Sequence, residues 1–540
     1  MIIKTNTLTG RRLLIIVFSL LICSTVIAQN DNNAPSTWPR LRKLGEFYDD
    51  ESRNIPSSRK KTLTNMPGND SGELQKLIDE LNDLGGGIIT IPKSGIWVFS
   101  EIELKSNIHL FIEKGAVIRP IVTTNKNNHS LFKIGTMNKS RIQDVSIRGV
   151  GGRFIIDMRN LAKETRLTPF NVKGAKNFYV NNALVKDNVT IHAAMNVSLL
   201  RDQNQNWIAA QDGWVQNINI TGAHGGYGAI QIRSGLHIHF RNIRATGGVA
   251  LRIESDDVGA NGSLNAPQNK ARVSRISGYN ITGVNGNAAV MLQPWGATNG
   301  WVDVEKINGI SCMAAVRIDK AYVAINAINI GTFDPDSRIT DVSSKYGTSA
   351  QVKNGVHPFV PCELRTNSNI LRTIPIPNMD NGAFFKGPCI SPIVYSASTT
   401  QNTTDQRYYT INIPTSTQLR NNATGFPAIS KMITRDNDRR GNCNNNAREI
   451  TETLSGEPQV VKLYPNPVSN GIINVELVEG SKDMAELIVF DFTGNQLSKH
   501  SFVGSRVFRS IDLGLKPNNL YMLQVNVNNQ TVERRKIIVQ

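Results

Sequence analysis

Five segments of the chain share one local pattern of Ala, apolar, variable, apolar, variable. They are Ala194-Met195-Asn196-Val197-Ser198, Ala229-Ile230-Gln231-Ile232-Arg233, Ala250-Leu251-Arg252-Ile253-Glu254, Ala289-Val290-Met291-Leu292-Gln293 and Ala315-Val316-Arg317-Ile318-Asp319. Between them lie second alternating segments such as Ile218-Asn219-Ile220, His237-Ile238-His239-Phe240, Tyr279-Asn280-Ile281 and Val302-Asp303-Val304. A unit of roughly 20 to 30 residues with two or three short strands cannot bury its apolar face alone, whereas stacked units share one continuous core. The repeat therefore predicts an all-β chain built on a right-handed parallel β-helix.

Side chains on a strand alternate with a period of two. Ile230 and Ile232, Leu251 and Ile253, Val290 and Leu292, and Val316 and Ile318 are expected to stack inward on successive coils. Gln231, Arg233, Arg252, Glu254, Met291, Gln293, Arg317 and Asp319 then share one outer face. Upstream, Leu74, Leu77, Ile78 and Leu81 form one side of an amphipathic helix that opens at Asp70, with Glu73 completing a capping box, and closes at Gly85. That helix stands where the first coil needs a cap. The expected organisation is a signal peptide at 1–28, an irregular segment at 29–65, the β-helix at 66–395, its end and an Asn/Thr-rich linker at 396–456, and a small β-sandwich at 457–540.

The signal assignment rests on Lys4, Arg11 and Arg12, the apolar stretch from Leu13 to Ile22, and the small-residue approach to Ala28. Its removal takes the net charge from +17 to +14, a surplus suited to an anionic partner. For an exported protein that partner is acidic or sulfated polysaccharide, not nucleic acid. No apolar run after residue 30 approaches the roughly 20 residues of a membrane span. Cysteines remain at 312, 362, 389 and 443. Cys362 and Cys389 flank a Pro- and Asn-rich stretch with little periodic structure, where a disulfide contributes most, so these two are expected to pair. No spacing argues for zinc, and the metal content is otherwise unreadable.

Cleaving a glycosidic bond takes one carboxyl group to protonate the leaving oxygen and a second to activate water or attack carbon. Glu254 and Asp256, in Arg252-Ile253-Glu254-Ser255-Asp256-Asp257, lie two apart on one strand face. Their α-carbons there are expected roughly 6.5 to 7 Å apart. Parallel side chains at that spacing favour inversion over retention. The bland alternative is that both are solvated or paired, with Glu254 bridging to Arg233 one coil earlier. Arg233, Arg252 and Arg317 are candidate readers of fixed sulfate charges, and Tyr227 and Trp295 candidate platforms for sugar rings.

Residues from about 60 to 395 resemble glycoside hydrolase family 82, the iota-carrageenases, through Gly247-Gly248-Val249-Ala250-Leu251-Arg252-Ile253-Glu254-Ser255-Asp256 and Gly228-Ala229-Ile230-Gln231. The resemblance implies a pectate-lyase-like β-helix that hydrolyses iota-carrageenan internally and with inversion. Glu254 is then the general acid, Asp256 the general base, and Gln231 a residue positioning water and substrate. A substrate-contacting His is implied as well; Met291-Leu292-Gln293-Pro294-Trp295 has none, and His224, in the loop Gly222-Ala223-His224-Gly225-Gly226-Tyr227, is a candidate to replace it, the alternative being a surface residue. No lid-sized insertion precedes residue 345, so an open groove is expected. No cofactor is required, and a structural calcium or other ion is not readable.

Residues 457–540 resemble the C-terminal sorting domain of type A cargo of the bacterial type IX secretion system. Tyr464-Pro465-Asn466-Pro467, Asp491-Phe492-Thr493-Gly494 and the final Lys536-Ile537-Ile538-Val539 carry that match, while Leu520 stands where the family has Gly. Export by that machinery to the cell surface or medium follows, with a monomer as the working assumption. Other readings stay open on the residues alone: a pectin hydrolase, although Asp256-Asp257 lacks the accompanying Asn-Thr-Asp and Gly-His-Gly; a polysaccharide lyase; and a non-catalytic β-helix adhesin.

Overall fold

The computed structural model describes residues 42–64, 70–124, 127–257, 264–353, 356, 359–360, 384–398, 404–413 and 432–437, and in the last module 461–464, 472–477, 484–491, 495–503, 508–513, 515, 519–527 and 530–539. Residues 1–450 and 451–540 form two separate compact units. The signal segment, Cys362, Cys443, and most of the Tyr-Pro-Asn-Pro and Asp-Phe-Thr-Gly motifs lie outside the described residues.

Two long parallel sheets build the first unit. One, the cleft sheet, runs in order through Ile102–Glu103, His129–Ile134, Leu167–Lys173, Met195–Ser198, Gly228–Ile232, Val249–Ser255, Ala288–Pro294, Ala314–Ile318, Ile393–Tyr395 and Met432–Thr434. Ile230 pairs with Leu251, Leu251 with Val290, and Val290 with Val316, each essentially solvent-free in a single core. The expected inward stack is therefore present, and one coil turns into the next by parallel pairing throughout this sheet. The sheet continues past residue 395 to Thr434.

The second sheet contains unusually long strands, Lys176–Lys186, Gln211–Thr221, Gly235–Thr246 and Val273–Val284. Each carries an Asn in the left-handed region along its length, Asn182, Asn217, Asn242 and Asn280 with φ of 57°, 57°, 54° and 58°, besides a second left-handed residue near its start, Asn177, Asp212, His237 and Arg275. Asn is one of the few residues with a side chain that tolerates this conformation. Successive amides form a ladder, with Nδ2 of Asn217 donating to Asn182 Oδ1 (2.8 Å), that of Asn242 to Asn217 Oδ1 (2.9 Å) and that of Asn280 to Asn242 Oδ1 (2.8 Å). The bend folds one sheet around two sides of the core, so the coil has three faces.

The helix at Ser71–Asp83 buries Leu74, Ile78 and Leu81 against the strands at Gly87–Ile91, Ile102–Glu103 and Ile108–Glu113, covering the end of the core. The expected capping box does not form. The Asp70 carboxylate instead accepts a hydrogen bond from Val98 N–H (2.8 Å), tying the helix start to a neighbouring strand. Before the helix, residues 42–50 run along the outside of the bent sheet, where Phe47 stacks on His237 (4.4 Å between centroids) and Arg148 binds Asp50.

The second unit contains two antiparallel sheets. One has three strands, ordered Val461–Tyr464, Ile472–Leu477, Phe508–Asp512; the other has four, ordered Gln496–Val503, Met484–Phe490, Asn519–Val527, Gln530–Val539. No helix among the described residues is long and apolar enough to cross a membrane.

Candidate active site

The strand Val249–Ser255 follows a tight turn at Gly247-Gly248. A Cβ on Gly248 would lie 2.4 Å from Tyr227 O, so only glycine lets the preceding coil approach this closely. Along the strand Leu251 and Ile253 enter the core, while Arg252 pairs in register between Gln231 and Met291, and Glu254 opposite Gln293. Glu254 and Asp256 nevertheless have only 2% and 8% of their surface exposed. The outer face of the sheet is here covered by neighbouring side chains.

The strand ends at Ser255, and Asp256 N–H donates to Glu254 O (2.9 Å), closing a three-residue turn. This corrects the placement of both carboxylates on one extended strand, because the turn draws their α-carbons closer than the extended spacing. Each of the two side chains has its own partners. Glu254 Oε2 accepts from Gln231 Nε2 (3.1 Å) and pairs with Arg252 Nη2 (2.5 Å), and Oε1 accepts from Trp295 Nε1 (3.2 Å). Asp256 Oδ1 accepts instead from Arg233 Nε. Arg233 thus bridges to Asp256 and not, as the sequence suggested, to Glu254.

Burial pushes the Asp256 carboxyl up to about 7; Arg233 opposes this, while Glu254 and Asp257 add to it. The Arg233 guanidinium is itself held charged against burial by Asp256, Asp257 and Glu254.

The other expected residues divide into two groups. Arg252 donates to Gly226 O and lies 5.6 Å from the Tyr227 ring centroid, and both residues are half-buried at the cleft. Gln293 and Trp295 are also half-buried, and Trp295 packs 4.7 Å from the Tyr322 ring, which is 40% exposed. Arg317, by contrast, is buried with Nε on Asp319 Oδ2 (2.6 Å) and Nη1 on Asn287 Oδ1 (2.5 Å), so its fork is occupied within the protein. His224 is fully buried, its Nδ1 accepting from Gly226 N–H (3.0 Å) and its ring packed edge-on to Phe384. Both are corrections to an expected direct substrate contact: partners within the protein enclose Arg317, which the strand period placed outside, and His224, which was expected in a loop.

Three cleft residues escaped the sequence reading because they come from loops or from a distant hairpin. His192, whose ring lies 5.8 Å from that of Tyr227, is shifted down to about 4 by burial, then by Arg166 and Arg233. Tyr322 is the second. The third is Lys353, on the hairpin Ala350–Lys353 and Phe384–Gly387, which docks through Gln351 Oε1 accepting from Gly248 N–H (2.5 Å). Lys353 keeps solvent contact, yet the surrounding protein and then Arg317 and Arg252 lower its pKa.

Cys389 is buried with a free thiol, its Sγ accepting from Gly347 N–H (3.3 Å); Cys362, the partner expected of it, is among the residues not described. No group of three or more His, Cys, Asp or Glu arranged to hold a metal occurs among the described residues.

Residues 462–540 match the model of the secretion system C-terminal sorting domain. The chain is 33% identical over 312 residues to an iota-carrageenase of Zobellia galactanivorans, covering 56% of this chain and 62% of that one. An iota-carrageenase of Alteromonas macleodii is 32% identical over 263 residues, 48% of this chain and 51% of that one. The matched region thus spans between half and two thirds of these relatives' length. Among solved structures, a 1,3-α-1,4-β-D-galactose-4-sulfate-3,6-anhydro-D-galactose-2-sulfate 4 galactohydrolase superposes with a TM-score of 0.61 at 24% identity, over 74% of this chain and 94% of that one. An iota-carrageenase of family GH82 from A. fortis gives 0.60 at 23%, over the same shares. At that identity the superpositions establish the β-helix fold.

Proposed function

We propose that the protein is a secreted iota-carrageenase of glycoside hydrolase family 82, cleaving β-1,4 linkages within iota-carrageenan with inversion. The observation that carries this is a pair of nearly buried carboxylates, Glu254 and Asp256, each bound to its own arginine, with the Tyr227 ring beside Arg252 and the Trp295 indole on Glu254. The likeness to named iota-carrageenases supports the substrate class.

Glu254 acts as general acid: its proton passes to the glycosidic oxygen as the bond from that oxygen to the anomeric carbon breaks. Asp256 acts as general base, taking one proton from a water whose oxygen bonds to the same carbon from the opposite side. Gln231, bonded to Glu254, fixes the acid and lines the space for water and sugar. Arg252 meets a sulfate with its planar fork, and Trp295 with Tyr322 offers an aromatic surface to a sugar ring. The sorting module directs export through the type IX machinery and takes no part in the chemistry.

Glu254→Gln and Asp256→Asn are each expected to lower turnover on iota-carrageenan by about two orders of magnitude or more, with folding intact. Proton resonance of the first-formed reducing end tests the stereochemistry: an initial α-anomer is expected, and an initial β-anomer would overturn inversion.

A further inference from the structure

Next to the proposed base stands a carboxylate that the reaction as written does not use. Asp257 is completely buried. Its Oδ2 accepts from Ser198 Oγ (2.9 Å), Ser234 Oγ (3.3 Å) and Leu199 N–H (3.4 Å), donors contributed by two earlier coils. Its Oδ1 has no hydrogen-bond partner among the described residues and faces Arg233 Nε at 3.4 Å, as an ion pair and not a hydrogen bond. The same Nε donates to Asp256 Oδ1.

We propose that Asp257 is a positioning residue that shares the Arg233 guanidinium with Asp256 and so keeps Asp256 free enough to accept a proton from water. The proposal rests on Asp256 being the base. A carboxylate bound to Arg233 alone would be a poor base, because the cation stabilises its charged form. The second carboxylate, anchored by two hydroxyls and a backbone N–H, divides the cation's attraction and adds its own repulsion. The other charged groups facing this cluster are Glu254, which acts on both Asp256 and Arg233, Lys173, which is itself lowered by burial beside Asp257 and Arg233, and His192, which feels Arg233.

A purely structural Asp257 would support only the turn. The two roles differ in what Asp257→Asn does to the pH profile. In the positioning role the acid limb of kcat/KM moves about one unit lower and kcat falls about tenfold, as expected of a weaker base. A variant that loses thermal stability but keeps the limb in place would overturn the proposal. A substrate-free measurement separates this outcome from failure of the functional reading. Between about pH 4 and 7 folded Asp256 holds a proton that the unfolded chain releases, so its raised pKa makes stability fall as pH rises through that window. Asp256→Asn should abolish this component of the Tm profile, and Asp257→Asn should complete it at lower pH. An unmoved Tm component overturns the proposal even if iota-carrageenan is not the substrate.

Arg233→Gln with Asp257→Asn removes both charges together, so no buried guanidinium is left short of a counter-charge. Compared with Arg233→Gln alone, the double variant should move the limb by less than Asp257→Asn does in the native background, because only the direct repulsion is then lost. A shift as large as in the native background would overturn the sharing of Arg233.

Discussion

At the scale of single residues, the cleft separates two acidic groups by giving each its own arginine. Arg252 holds Glu254 and Arg233 holds Asp256, and burial leaves the Asp256 carboxyl at about 7. If Asp256 is the base, it must be ionised in the free enzyme, so kcat/KM should fall by about tenfold per pH unit below about pH 7. If it were the acid, activity would fall above that pH instead. A pH–rate profile on a sulfated galactan distinguishes the two, its limbs belonging to the coupled pair. Glu254 and Asp256 were legible from an acidic pair at the end of a repeating strand. Their arginine partners were not, because a period of two gives the face of a side chain but not where a long guanidinium ends. Arg317 shows the same limit: its strand position faces outward, and Asp319 and Asn287 then enclose it.

At the scale of elements, the bent strands show how one residue type shapes the coil. Asn242 combines a positive φ with two ladder hydrogen bonds, one donated to Asn217 and one accepted from Asn280. Asn242→Ala is expected to lose both bonds and strain the backbone, costing about 2–3 kcal/mol. Asn242→Gly relieves the strain and should cost only about 1 kcal/mol. Denaturant unfolding of both variants measures the difference; equal losses would mean the bend is not strained. Alternation on either side of the ladder was readable, as in Ile218-Asn219-Ile220. The bend itself was not, since each ladder Asn occupies a variable position that a strand would also accept. The helix at Ser71–Asp83 was readable from its apolar face, whereas the capping box lost Asp70 to Val98, a residue 28 positions away.

At the scale of the whole molecule, the proposed chemistry lies in the first unit and the sorting domain makes up the second. Truncation after residue 455 is expected to leave turnover on soluble carrageenan within about twofold of the full chain, because domains with their own cores fold alone. Reducing-end release by the truncated protein checks this, and a folded truncation with little activity would assign residues 457–540 a part in catalysis. The sequence by itself determined the inward stack of Ile230, Leu251, Val290 and Val316, the strand carrying Glu254, and the β-rich character of both units, because burial of alternating apolar side chains is a local, periodic signal. Only the tertiary structure decided the walls of the cleft: the hairpin seated by Gln351 on Gly248, Tyr322 beside Trp295, and Asp257 locked between Ser198 and Ser234. Those contacts join residues tens to a hundred positions apart, and their energies depend on where insertions of irregular length come to rest, which no local period encodes.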